Sequence, residues 1–135
     1  MISLKKKINF YDCDPAGILF YGNIFFICHS AYEELVSSFK LDTDYWQNND
    51  FIVPIIKSSA DYLKPLKNGD TVTIEVTVTN LRASSFELSY NCLNHDGELY
   101  ATIKTVHVFL DKKSWKKKEL LSEIKKGLEF HKVNS

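Results

Sequence analysis

Asp12 and Asp14 are the residues in this sequence best placed to do chemistry. They lie in YDCDPAGILFYGN, residues 11 to 23, on either side of Cys13. A Pro-Ala-Gly turn follows at once, and then four large apolar residues, Ile18 to Tyr21. A carboxylate beside so much apolar surface is costly to desolvate unless its charge is stabilised or used. Used, it is a nucleophile or a general base. Unused, an aspartate ahead of such a turn bonds its own backbone, which is ordinary turn chemistry. Cys13 has no histidine near it in sequence to activate it, and strand alternation turns it away from Asp14, so it reads as a small core residue. His29, His95, His107 and His131 are too widely spaced for a local metal motif, and no metal site is inferred.

These residues need elements to position them. Lys6 to Tyr11 is short and apolar-rich, compatible with a strand that the turn at Asp14 to Gly17 ends. Asn23 is placed to cap the helix that follows, in which Ile24, Ile27, Cys28, Ala31, Leu35 and Phe39 recur at helical spacing. Its first half is apolar nearly all round, which predicts a buried helix. FIVPIIKSSADYL reads as a strand interrupted by proline, and KPLKNGD as a turn. In TVTIEVTVT, Val72, Ile74, Val76 and Val78 alternate with polar residues, as in a half-buried antiparallel strand. SFELSYNCL repeats this with Phe86, Leu88, Tyr90 and Cys92, and the Asp-Gly turn in NHDGE joins it to LYATIKTVHVFL as a hairpin. SWKKKELLSEIKKGLEF closes the chain as an amphipathic helix, with Leu120, Leu121, Ile124 and Leu128 inward. One buried helix among antiparallel strands is covered only if a curved sheet wraps it, an α+β architecture in a single domain spanning 1–135.

Composition narrows the partners. Lys+Arg and Asp+Glu number 17 each, so the basic excess a generic nucleic-acid binder needs is missing. Cys13, Cys28 and Cys92 cannot all pair with one another and form no CxxC, which suits reduced thiols in a cytoplasmic compartment. No apolar run reaches membrane-spanning length, and MISLKKKINF lacks the apolar segment of a signal peptide. The expectation is a cytoplasmic protein with no membrane span.

Two stretches taken together, DCDPAGILFYGN before the helix and VPIIKSSADYLKPLKNGDTVTIEVTV after it, resemble the hotdog-fold acyl-CoA thioesterases of the 4-hydroxybenzoyl-CoA thioesterase type. The resemblance runs from about Lys6 to Leu110 and fades in the C-terminal helix. Asp-x-Asp-Pro-Ala-Gly gains its specificity from the later Tyr62-x-x-Pro65-x-x-x-Gly69-Asp70.

The resemblance implies a curved antiparallel sheet around a long central helix, and hydrolysis of an acyl-CoA thioester to free acid and coenzyme A. It assigns the chemistry to Asp14, as nucleophile or general base. The helix N-terminus supplies the oxyanion donors, first the backbone N–H of Tyr21 and then that of Gly22. No metal or cofactor is implied, since coenzyme A is part of the substrate. Ser58 and Ser59 match the region that lines the acyl and pantetheine channel from a neighbouring subunit; otherwise they are ordinary polar strand residues. Lys64 and Arg82 fall where basic groups could meet the coenzyme A phosphates. The run Lys112, Lys113, Lys116, Lys117, Lys118 reads mainly as a solvated face, with phosphate contact as the alternative.

This chain also departs from the pattern. Where many relatives carry an acidic residue on the helix it has His29, which reads first as a buried, satisfied histidine and second as an acid–base partner reaching the acyl pocket. The departure bears on acyl specificity more than on reaction type, and aromatic, short-chain and branched acyl groups all stay open. The resemblance further implies a homodimer or homotetramer. Two rival readings remain: a non-catalytic acyl-CoA or acyl-carrier-protein binding module, which needs no carboxylate at position 14, and a hotdog dehydratase using His29.

Overall fold

In the computed structural model, which describes residues 1–133, strand β1 is Ile2–Lys7 and is followed by a single 3-10 turn, Phe10–Asp12. Helix α1 spans Asn23–Ser38, β2 Phe51–Ile52, β3 Ile55–Tyr62, β4 Thr71–Leu81, β5 Ser85–Leu93, β6 Leu99–Val108, β7 Leu110–Asp111 and α2 Ser122–Phe130. The main sheet has the order β1-β4-β5-β6-β3 with every neighbouring pair antiparallel, and β2 and β7 form a small separate pair. The sheet curves round α1, as the amphipathic alternation requires.

Alternation sets which face is dry. Val72, Ile74, Val76 and Val78 of β4 are fully buried, and Phe86, Leu88, Tyr90 and Cys92 of β5 face the same core. Each such side chain contributes about 1.5–3 kcal/mol on burial. Opposite them α1 presents Ile24, Ile27, Cys28, Ala31, Tyr32, Leu35 and Val36, an arc at helical spacing. Ile124 and Leu128 bury α2, while Leu121 is only partly covered and Ser122 opens the helix, so the lysine run lies before it in extended chain and turns. Gly127 lets α2 approach α1 closely: a β-carbon there would lie 2.2 Å from the Phe39 ring.

Besides the later start of α2, at Ser122 rather than Ser114, two features differ from expectation. The first strand is Ile2–Lys7 rather than 6–11, because Ile2 and Leu4 alternate inward opposite Val76 and Ile74 despite three lysines at its end. Asn23 does not cap α1 by side chain. Gly22 occupies that position, and the Asn23 amide instead donates to the Asp12 carbonyl at 2.8 Å. Among the described residues no helix is long and apolar enough to cross a membrane.

Candidate functional site

The segment between β1 and α1 is held almost entirely by backbone hydrogen bonds. The Asn9 N–H donates to the Asp12 carboxylate at 2.9 Å, which closes the 3-10 turn. Asp12 is thus structural, as expected, and its carbonyl also accepts from the Phe20 N–H at 3.0 Å. Cys13 pairs with Leu19, and Ile18 with Lys67, so residues 13 to 19 form a miniature hairpin laid against the β3–β4 connection. Gly17, at a φ of 77°, supplies the left-handed residue that this tight reversal needs.

Asp14 lies at the head of that hairpin, half-buried. Its Oδ1 accepts from the Ala16 N–H at 2.9 Å and the Ile18 N–H at 3.4 Å. Among the described residues Oδ2 has no partner, and Asp14 lines a cleft of about 520 Å³ walled also by Phe20, Tyr21, Tyr62, Lys64 and Leu66. One oxygen is anchored and the other is free. Cys13 is not a rival nucleophile: burial first, then the charges of Asp12 and Asp14, raise its pKa and disfavour the thiolate.

Tyr21 lines the same cleft, and the backbone N–H groups of Tyr21 and its neighbour Gly22 have no acceptor among the described residues. Each belongs to a peptide held at its carbonyl end. The Phe20 carbonyl accepts from the Asn23 N–H at 2.8 Å, orienting the peptide that carries the Tyr21 N–H. The Tyr21 carbonyl accepts from the Tyr62 hydroxyl, orienting the peptide that carries the Gly22 N–H. Burial, with Cys28 and Tyr21 as lesser causes, raises the Tyr62 pKa and keeps that phenol a donor. Two preoriented donors at a helix N-terminus suit a developing oxyanion. Sequence reasoning used Tyr62 only as a motif marker and missed this orienting role.

The other expected residues fall in three places. Lys64 is on the cleft, its ammonium paired with the Glu98 carboxylate. Arg82 is not brought to it. It lines a separate groove with Lys117, at the opposite end of β4 from Asp70 and about 35 Å of strand away. Ser58 and His29 meet at a small cavity between α1 and β3, whereas Ser59 lies outside that cavity and opposite Lys104. His29 is not buried. Its side chain is 44% exposed, with Nδ1 3.5 Å from the Glu33 carboxylate and the ring against Trp46, because it sits beside the buried arc of α1 rather than on it.

A second polar group lies under α1 and was absent from the expected site. Thr105 Oγ1 is 3.1 Å from the Tyr90 hydroxyl and 2.7 Å from His107 Nε2. His107 is fully buried, stacked on Phe86, and its Nδ1 has no partner. Burial, with His29 as the lesser cause, pushes its pKa down to about 3, so it is neutral. The signal was present in LYATIKTVHVFL, where alternation puts Thr105 and His107 on the dry face with Ala101 and Ile103.

Comparison with known proteins agrees with this geometry. Residues 8–128 match the model of the thioesterase-like superfamily. A 1,4-dihydroxy-2-naphthoyl-CoA hydrolase of Nostoc punctiforme is 32% identical over 125 residues, covering 92% of this chain and 84% of its own. One from Trichodesmium erythraeum is 31% identical over 127 residues, covering 92% of both. The crystal structure of a 1,4-dihydroxy-2-naphthoyl-CoA thioesterase from Synechocystis superposes with a TM-score of 0.87 at 25% identity, over 94% of each chain. These relatives are named for a dihydroxynaphthoyl ester, so the resemblance holds for the superfamily and is not carried to the 4-hydroxybenzoyl type. With the hotdog fold and 121 of its 135 residues matched (8 through 128), the chain belongs to the thioesterase-like superfamily.

Proposed function

We propose that this acyl-CoA thioesterase hydrolyses an aromatic acyl-CoA ester, with 1,4-dihydroxy-2-naphthoyl-CoA as the lead substrate and 4-hydroxybenzoyl-CoA as the runner-up. The observation that carries the reading is that Asp14, with one carboxylate oxygen free of partners among the described residues, lines the same cleft as Tyr21, whose N–H, like that of Gly22 beside it, is preoriented and has no acceptor there. The thioester carbonyl oxygen accepts from the Tyr21 and Gly22 N–H groups, which stabilise negative charge as it develops there. Asp14 either attacks the carbonyl carbon, giving a mixed anhydride that water then opens, or takes a proton from the attacking water. In both routes the C–S bond breaks, coenzyme A leaves as the thiol, and one water is consumed. No metal takes part in this scheme. Lys64, on the wall of the Asp14 cleft, is the basic group offered to the coenzyme A phosphates.

The same reading includes a dimer as the working unit, in the cytoplasm. β3 is an edge strand whose outer side is unpaired among the described residues, and Phe26, 82% exposed, projects from α1. Joining two such edges covers both. Light scattering should give at least twice the monomer mass of 15.6 kDa, and a monomer with full activity would exclude the dimer.

The decisive assay is thiol release from a panel of aromatic, branched and straight-chain acyl-CoA esters. Aromatic esters should be cleaved fastest. Faster turnover of aliphatic esters would remove the aromatic assignment, and tight binding with no turnover of any ester would favour the binding module.

A further inference from the structure

We infer that Thr105 is a specificity-determining residue, whose hydroxyl, oriented by His107 and Tyr90, donates into the small cavity beneath α1 and reads an oxygen on the acyl ring remote from the thioester. This rests on the aromatic reading above and adds the part of the substrate that the Asp14 cleft does not touch.

The placement comes first. The cavity, about 140 Å³, is lined by Phe25, Cys28, His29, Ser58, Tyr90 and Thr105. None of the described residues lines both this cavity and the Asp14 cleft, but the same segments run past both, so the two lie along one trough. The chain passes from Tyr21 into α1 and on to Phe25 and His29, β3 runs from Tyr62 to Ser58, and β6 from Ala101 to Thr105. Phe25 to His29 lie about 5–10 Å along the helix axis from the Gly22 N–H. A ring system whose carbonyl is held at Tyr21 and Gly22 therefore extends toward the cavity.

Hydrogen counting then gives the cavity its chemistry. Neutral His107 carries one N–H. A proton on Nδ1 would be an orphaned buried donor, which folded proteins rarely tolerate, so Nε2 carries it and donates to Thr105 Oγ1. Thr105 and Tyr90 then have two O–H hydrogens and only one bond between them. One O–H is left over. Both groups line the cavity and either could be the donor, but Thr105 is the more exposed of the two (6% against 2%), so the spare hydrogen is assigned to Thr105, with Tyr90 donating to it. A buried hydroxyl donor without a partner calls for an acceptor, and a phenolic oxygen on the acyl ring supplies one.

The experiment compares kcat/KM for 1,4-dihydroxy-2-naphthoyl-CoA and 1-hydroxy-2-naphthoyl-CoA, which differ by the remote hydroxyl alone. The parent should prefer the first by about tenfold or more. Thr105→Val should bring the ratio close to one, and Thr105→Ser should restore it. Tyr90→Phe leaves the Thr105 O–H free and must keep the preference, which holds the inference to account even if Thr105→Val does not fold. A parent ratio near one, an equal loss on both esters in Thr105→Val, or a collapsed ratio in Tyr90→Phe would each overturn it. A parent that cleaves aliphatic esters and neither aryl ester would instead remove the aromatic reading on which it stands.

Discussion

The Asp14 cleft and the Thr105 cavity, the two ends of the proposed trough, hold their polar groups in different ways. At the Asp14 end every bond has a backbone partner: the Ala16 and Ile18 N–H groups anchor one carboxylate oxygen, and the Asn23 N–H and the Tyr62 hydroxyl anchor the Phe20 and Tyr21 carbonyls. At the Thr105 end three side chains hold one another, each less than a tenth exposed, and nothing there carries charge. The difference follows from desolvation. A charged group is expensive to bury, which suits an open cleft with one oxygen left free for a carboxylate proposed to react. Neutral hydroxyls and a neutral imidazole can go into the core, provided that their hydrogens are accounted for.

The largest expected effect tests the reacting end. Asn at position 14 keeps an acceptor oxygen for the Ala16 and Ile18 N–H groups, so the turn and the fold should persist. It has no charge and is neither base nor nucleophile. Turnover of the best ester should fall by ~10²–10⁴-fold or more, while stability moves by no more than about 1 kcal/mol. Thiol-release kinetics beside a thermal melt decide it. A folded Asp14→Asn enzyme within a few-fold of the parent would end the assignment.

How much of this could be read from residues alone differs between the two ends for the same physical reason. β4 and β5 show strict alternation, so their buried faces are legible residue by residue, from Val72 to Cys92. Asp14 is legible because a motif marks it, and Asp12 because its place in the turn explains it. The orienting hydrogen bond from Tyr62 to Tyr21 spans 41 residues, and no local pattern encodes such a contact. His29 was misplaced because helical spacing defines an arc, and a residue at the edge of that arc can fall on either side. Lys64 and Arg82 look equivalent as basic residues near turns, yet β4 separates their ends by its full length.

An acid titration tests the buried end. His107 has a folded pKa of about 3 against an ordinary 6.5, so between those values the unfolded chain takes up a proton that the folded chain refuses. Its contribution is fully present above pH 6.5 and is lost as pH falls toward 3, at up to ~1.4 kcal/mol per pH unit. His131 is depressed in the same direction, by burial and then by the N-terminal ammonium, and adds to the slope. Urea midpoints should therefore drop between about pH 7 and about pH 5, before most carboxylates titrate. His107→Gln should flatten the decline. Equal midpoints for the parent across that range would mean that His107 is not held neutral by burial.

The smallest effect is expected on the exposed wall of the Thr105 cavity. His29 is on the wall of the Thr105 cavity, yet it is nearly half exposed and its partner, Glu33, is exposed as well. A surface pair of this kind contributes about 0–1 kcal/mol, so His29→Ala should change the urea midpoint little. Its removal opens the cavity toward Trp46, which should shift preference toward bulkier rings without touching Asp14 or the Tyr21 and Gly22 donors. Turnover of the best ester should stay within about tenfold of the parent, since no proton transfer in the proposed hydrolysis passes through the imidazole. A loss as deep as that in Asp14→Asn, with the fold intact, would make His29 an acid–base group. The trough would then carry reacting groups at both ends, and dehydratase chemistry would have to be tested with hydroxyacyl substrates.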